Sequence, residues 1–298
     1  MSVLERGAAR ATAATPPWTL AVAAMLMIQL GSALSAALLI PELGAGGTAW
    51  LRLTLGAIIL VAIARPPLRS IRRSDVLPLL GLGVATGLMT VFFLAALARI
   101  PLGIAVAIEF LGPLAVAALR RPSGRALAWP LLALAGVVLM TEPWRDTVDP
   151  IGVLFAALAG TGWGIYIVLT QRVGDRFSGI RALSITIPIA ALTAAFIGVP
   201  QAVGTLRLEH LIIGAGLALL VPVVPFALEM VTLRRMTATA FGTLMAVEPA
   251  IGLVIGMLVL LQVPGLAQIA GIALVVIAGA AAQRGGRRSA PPLAAQPT

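Results

Sequence analysis

IPLGIAVAIEFLGPLAVAAL, residues 100–119, is apolar throughout except for one carboxylate, Glu109. A second run, FGTLMAVEPAIGLVIGMLVL, residues 241–260, carries Glu248 in the same kind of setting. An apolar stretch of this length crosses the roughly 30 Å hydrocarbon core of a bilayer as a helix. A charged side chain near the middle of such a helix costs at least about 2.5–3.5 kcal/mol on insertion scales, so it faces the bundle interior and marks a functional site. Two of them, one in each half of the chain, point to a site between two repeats.

Composition agrees with a chain that lives in lipid. Of 298 residues, 60% are hydrophobic and 11% charged, and the mean hydropathy is +1.05. That is too apolar for a water-soluble domain. Absence of cysteine excludes disulfides, thiolate metal sites and thiol catalysis. The single histidine, His210, excludes a multi-histidine metal site. No metal, no cofactor and no enzymatic activity are expected.

Ten apolar stretches read as membrane helices: 18–40, 44–64, 76–98, 102–119, 126–141, 151–171, 182–200, 211–231, 237–261 and 266–283. The expected fold is all-α, with ten spans in two inverted five-helix repeats, residues 18–141 and 151–283. Tails at 1–17 and 284–298 flank them; the first lacks the layout of a signal peptide. The net charge of +10 comes entirely from arginine. With the N-terminus inside, 17 of the 21 arginines fall in cytoplasmic segments and only Arg99, Arg145 and Arg207 outside. Such a bias places both termini in the cytoplasm and accounts for the charge without a nucleic-acid partner.

Shifting the first half by 136 residues sets Arg99 on Arg235 and Pro113 on Pro249. The two glutamates then fall three positions apart, on one helix face. An odd number of spans per repeat inverts the second repeat. Pro113 and Pro249 follow the glutamates closely; each removes a backbone donor and reads as a kink or a hinge. The glycine pairs Gly83/Gly87 and Gly252/Gly256 suit close packing within one bundle, which reads as a monomer, with a dimer seam as the alternative.

Arg52 is a third ionisable residue deep in a span. It either neutralises Glu109 or Glu248 or meets a substrate carboxylate. Glu229 reads as an interfacial residue pairing with Arg234 or Arg235. Gln29, Ser32 and Ser35 form a polar stripe on the first helix, either bonding a neighbour or walling the substrate path. Trp163 and Tyr166 lie too deep for interface anchors and either pack or line a cavity. Trp18, Trp50, Trp129 and Trp144 read as interface anchors, and His210 as an interfacial residue.

The segment running from Ile100 through Glu109 to Ala117 resembles the fourth-helix signature of the threonine/homoserine exporters, within the EamA branch of the drug/metabolite transporter superfamily. Residues 225–230, residues 241–250, the Gly162–Ile167 stretch and residues 171–174 fit the same family. The likeness covers nearly the whole chain between the tails; an Arg/Ala-rich N-terminus and a Pro-rich C-terminus depart from it. It implies export of small neutral amino acids across the bacterial inner membrane, coupled to protons, with organic cations or other metabolites as the alternative cargo. Glu109, Glu248 and Arg52 would then bind substrate or couple protons. Gln29, Ser32, Trp163, Tyr166, Met245 and Phe241 would line the cavity, and Pro113 and Pro249 would act as hinges.

Overall fold

The computed structural model describes residues 16–64, 71–120, 124–145, 148–174, 180–235, 241 and 244–284. Residues 1–15 and 285–298 of the expected tails lie outside the described residues, as do residues 237–240 and 242–243 of the expected ninth span and eight of the arginines that set the charge bias. The described residues form helices and no strand.

The helices are α1 Pro17–Leu38, α2 Ile40–Ala64, α3 Arg73–Leu97, α4 Leu102–Glu109, α5 Leu111–Arg120, α6 Gly124–Thr141 and α7 Pro150–Gly174. They continue with α8 Ile180–Ala202, α9 Leu208–Ala218, a π-helical turn Leu219–Val223, α10 Val224–Arg235, α11 Glu248–Val259 and α12 Leu266–Arg284. Seven stretches are long and apolar enough to cross a membrane: Pro17–Leu38, Ile40–Ala64, Arg73–Leu97, Leu102–Leu119, Pro150–Thr170, Ile180–Ala202 and Leu208–Glu229. Leu127–Thr141, Glu248–Val259 and Leu266–Ala282 are shorter apolar helices. The chain is an integral membrane protein.

Local chemistry sets the boundaries. Pro17 opens α1, where a missing N–H costs nothing. Gly44 (φ 68°, ψ 170°) separates a short first turn of α2 from its long span, a conformation that favours glycine. Pro222 sits inside the π-helical turn, where Val221 leaves helical geometry (φ −158°, ψ 115°). A proline has no N–H to continue the ladder, so the turn widens.

Large apolar side chains face outward, Phe196 at 85% exposure and Leu77 at 79% among them, while the centre is rich in alanine and glycine. That distribution suits lipid outside and close helix packing inside. Helices of the first half pack on helices of the second: α2 on α8, α3 on α7 and α8, α4 on α11, α6 on α12, and α1 on α10. Phe92 of α3 stacks on Phe155 of α7, ring centroids 6.1 Å apart. Residues Leu102 to Ile108 of α4 are buried on every side, which makes α4 the central helix.

Two expectations change at the helix ends. Trp18 and Trp144 are exposed, but Trp50 packs on the core against Gly198 of α8. His210, expected at an interface, is buried at the start of α9. Its Nδ1 accepts the Arg207 backbone N–H (3.1 Å) and its Nε2 lies 2.8 Å from Glu42 Oε2.

Candidate functional site: carboxyls at two broken helices

Proline chemistry places both glutamates at helix breaks rather than inside uninterrupted helices. Pro113 cannot donate to the Glu109 carbonyl one turn earlier. The helix breaks at Phe110, and the first bond across the break, from Leu114 N–H to the Phe110 carbonyl, stretches to 3.4 Å. Pro249 acts likewise on the Met245 carbonyl. The described part of α11 accordingly begins at Glu248, after a turn closed by Val247 N–H to Leu244 O at 3.0 Å. Glu248 thereby stands in the first turn of a helix, where backbone N–H dipoles favour negative charge.

The two breaks meet. A Cβ on Gly256 would lie 3.5 Å from Leu102, and one on Gly252 would lie 3.2 Å from Val106, so α4 and α11 run antiparallel. That register carries Glu109 level with the Glu248–Pro249 pair. Glu248 acts electrostatically on Glu109, and also on Glu229 of α10. Glu248 is buried; Glu109 and Glu229 are half-buried. Glycine makes the approach from α7 tight: a Cβ on Gly160 would sit 2.8 Å from the Glu109 carbonyl oxygen, and a Cβ on Gly112 would overlap the Gly160 carbonyl. Phe110, beside Glu109, is wedged between Gly279 of α12 and the edge of Trp163 (centroids 6.1 Å apart, planes at 65°).

From α1, Gln29 Nε2 donates to Glu248 Oε1 at 3.0 Å. The other oxygens of this pair, Gln29 Oε1 and Glu248 Oε2, are buried and have no hydrogen-bond partner. Buried polar groups are rarely left so. Two neighbouring acceptors without a donor fit an incoming N–H or O–H group. Arg99, Arg145 and Arg207 form their ion pairs elsewhere, with Asp149, Glu142 and Glu209.

The remaining expected residues divide. Ser32 is buried on α1 between Gln29 and Ser35. Tyr166 of α7 is half-buried within electrostatic reach of Glu229. Met245 and Phe241 are half-buried; Met245 packs on the core, just before Glu248. Arg52 does not join the carboxyls. It is buried on α2, its Nη1 donates to Ser35 Oγ at 2.8 Å, and Ser35 in turn donates to the Gly31 carbonyl at 2.6 Å. Arg52 Nε has no partner. The ion pair with Glu109 or Glu248 that the sequence allowed is absent among the described residues.

Glu229, read as an interfacial residue pairing with Arg234 or Arg235, is half-buried on α10 and within electrostatic reach of Glu248. One further group could ligate a metal: Glu42, Glu209 and His210 have ligand atoms within 4.8 Å of one another. Both ring nitrogens of His210 are already engaged by Arg207 and Glu42, so the geometry serves a cross-helix tie.

The EamA-like transporter family matches residues 150–281. The threonine/homoserine exporter RhtA of Escherichia coli (strain K12) is 38% identical over 255 residues, spanning 82% of this chain and 83% of the exporter. RhtA of Salmonella typhimurium (strain SL1344) is 39% identical over 242 residues, 80% of this chain and 81% of its own. A crystal structure at 20% identity shares the fold, with a TM-score of 0.59 over 89% of this chain and 95% of that one. With this identity sustained across four-fifths of its length, the chain belongs to the EamA-like transporter family of the drug/metabolite transporter superfamily.

Proposed function

We propose that this chain exports small neutral amino acids, of the threonine and homoserine class, across the bacterial inner membrane in exchange for protons. The observation that carries this reading is the unpartnered acceptor pair, Gln29 Oε1 and Glu248 Oε2, beside two further carboxyls. Such a cluster favours an ammonium group or a proton as its guest. A site that accepts either, but not both at once, is the minimum an antiporter needs.

A zwitterion has a second end. Ser35, which holds Arg52, stands six residues from Gln29 on α1, about 9 Å along the helix axis. Ser32 lies between them. An amino acid seated by its ammonium at Glu248 points its carboxylate along this stripe toward the guanidinium. Arg52, with Nε unbonded, is then the carboxylate partner, and Ser32 is placed for a substrate hydroxyl. The names of the exporter relatives support this cargo.

Helix pairing supports the inverted repeats at 18–141 and 151–283. Counting spans along the chain, α2 and α8 are equivalents under a five-span shift, as are α4 and α11, and α6 and α12. Each of these pairs packs together. The pairing of α3 with α7 has its counterpart in that of α10 with α1. Ten spans with both termini in the cytoplasm follow from the arginine bias. Reporter fusions after Arg73, Arg125, Arg176 and Arg235 are expected to read cytoplasmic, and fusions after Glu42, Asp149 and Glu209 external. A cytoplasmic signal at Asp149 would break the repeat.

A second reading, export of small organic cations, is favoured by the separation of Arg52 from the carboxyls. Uptake of radiolabelled amino acids into everted vesicles, with and without a pH gradient, decides between them. Gradient-driven accumulation of threonine or homoserine is expected. If neutral amino acids neither accumulate nor compete with a cationic dye that does, the cation reading stands instead.

A further inference from the structure

The contact between Gln29 and Glu248 has one property that a salt bridge would lack. A primary amide offers a donor on one side and an acceptor on the other. An ionised Glu248 accepts from the Gln29 NH2 group, as seen at 3.0 Å. A protonated Glu248 needs an acceptor for its own O–H. Half a turn of the amide about its last torsion presents the Gln29 carbonyl oxygen at the same place. Each state of the carboxyl then keeps a hydrogen bond to one side chain without moving either helix.

We propose that Gln29 is the positioning residue that lets Glu248 gain and lose its proton inside the bundle, its amide turning over with each change of charge. This rests on the proton-coupled reading above and deepens it. Both side chains are buried, 2% exposed for Gln29 and 4% for Glu248, so solvent cannot substitute for the amide. The amide oxygen lies 3.6 Å from where a Cβ on Gly252, one turn after Glu248, would stand, so this residue has no side chain of its own beside the amide. No titratable residue lies on α1 itself. The ionisable groups within electrostatic reach of Glu248 from other elements are Glu109 on α4 and Glu229 on α10, and Tyr166 on α7 is within reach of Glu229. All of these are acids, and the amide of Gln29 donates the side-chain hydrogen bond that Glu248 accepts. A fixed cation at this place would hold Glu248 ionised; an aliphatic side chain would leave either state with a buried polar group unmet.

The test is the pH dependence of substrate efflux from proteoliposomes holding wild type or Gln29→Met. Methionine keeps the length and apolar stem but donates no hydrogen bond. Loss of a donor penalises the charged carboxylate more than the acid. The efflux profile of Gln29→Met is expected to move by about one pH unit toward the alkaline side, a tenfold change in proton affinity. Gln29→His, whose neutral ring also both donates and accepts, is expected to recover part of that shift. Coincident profiles for wild type and Gln29→Met would overturn the proposal. A flat wild-type profile would instead refute proton coupling itself. Wild-type protein carrying 13C-labelled glutamine amides supplies a check that needs no variant. Infrared difference spectra across the efflux transition are expected to show a carboxyl band and an amide carbonyl band changing together, the amide response disappearing in Gln29→Met. A silent amide across that transition would also overturn the proposal.

Discussion

Adding one methyl group at Gly160 tests how the broken fourth helix is held. In Gly160→Ala the new Cβ would lie 2.8 Å from the Glu109 carbonyl oxygen, 3.1 Å from its Cα and 3.3 Å from its carbonyl carbon. Ordinary contact begins near 3.4 Å, so α7 and the α4–α5 break must separate by about 0.6 Å. The obstacle is backbone and cannot rotate aside as a side chain would. Overpacking of this kind costs about 1–3 kcal/mol. Alanine returns up to about 1 kcal/mol through its helix propensity. A net loss of about 1–2 kcal/mol corresponds to a melting temperature lower by about 2–8 °C. Gly216 is the control: it is helical too, but nothing lies within 4 Å of its would-be Cβ. Thermal unfolding in detergent, followed by tryptophan fluorescence, should show Gly160→Ala destabilised and Gly216→Ala unchanged or slightly more stable. Because the displaced backbone carries Glu109, efflux should fall in the first variant alone. Equal melting temperatures and equal efflux for the two variants would refute the claim that Gly160 seats the break.

Glu248→Gln should fold, since its amide can still bond Gln29, yet lose transport driven by a pH gradient; Glu109→Gln is compared in the same vesicles, and full gradient-driven transport in both would remove the carboxyls from the mechanism. Ser35→Ala takes away the hydroxyl that Arg52 bonds, a charged hydrogen bond worth about 1.5–3 kcal/mol. A lower melting temperature is expected, and adding Glu109→Gln or Glu248→Gln to an Arg52→Gln variant should rescue neither folding nor efflux, because no ion pair links them. In the loop before α7, a hydrogen bond from Arg99 and the Ile151 backbone N–H hold the Asp149 carboxyl below the usual carboxylate range. Its folded value being depressed, the tie is fully made above the unfolded value of about 3.9 and is lost as pH falls through the lower folded value. Spin labels on the Arg99 loop and on α7 should show wild-type distances widening only in acid, and Asp149→Asn widened already at neutral pH.

The sequence carried depth better than direction. Glu109, Glu248, Pro113 and Pro249 were legible because a charge or a proline in an apolar run has few innocent placements. Helix periodicity says how deep such a residue lies, but which neighbour it meets depends on helix rotation and crossing, which are set by packing across both halves. Arg52 illustrates this: its depth was evident, but whether it would find a carboxylate or the Ser35 hydroxyl was decided by how α2 sits on α1. Glu229 was placed by its nearness to Arg234 and Arg235 in sequence, and its electrostatic reach to Glu248 depends on how α10 packs, which periodicity does not give. The ninth span was expected to carry a kink or hinge at Pro249; the missing N–H of Pro249 goes with a described helix that begins at Glu248.

Where glycine meets backbone, as at Gly112 against Gly160, Gly46 against Gly198 and Gly136 against Gly271, the two halves touch through main chain rather than side chains. Such seams leave a lineage little freedom to enlarge a residue, while the lipid-facing side accepts almost any oily substitution. New cargo preferences can therefore be acquired by exchanging polar atoms at constant volume, serine for alanine or glutamine for methionine, more readily than by carving or filling space. Divergence within such a transporter would be written in hydrogen-bonding groups, over an interior whose shape stays nearly still.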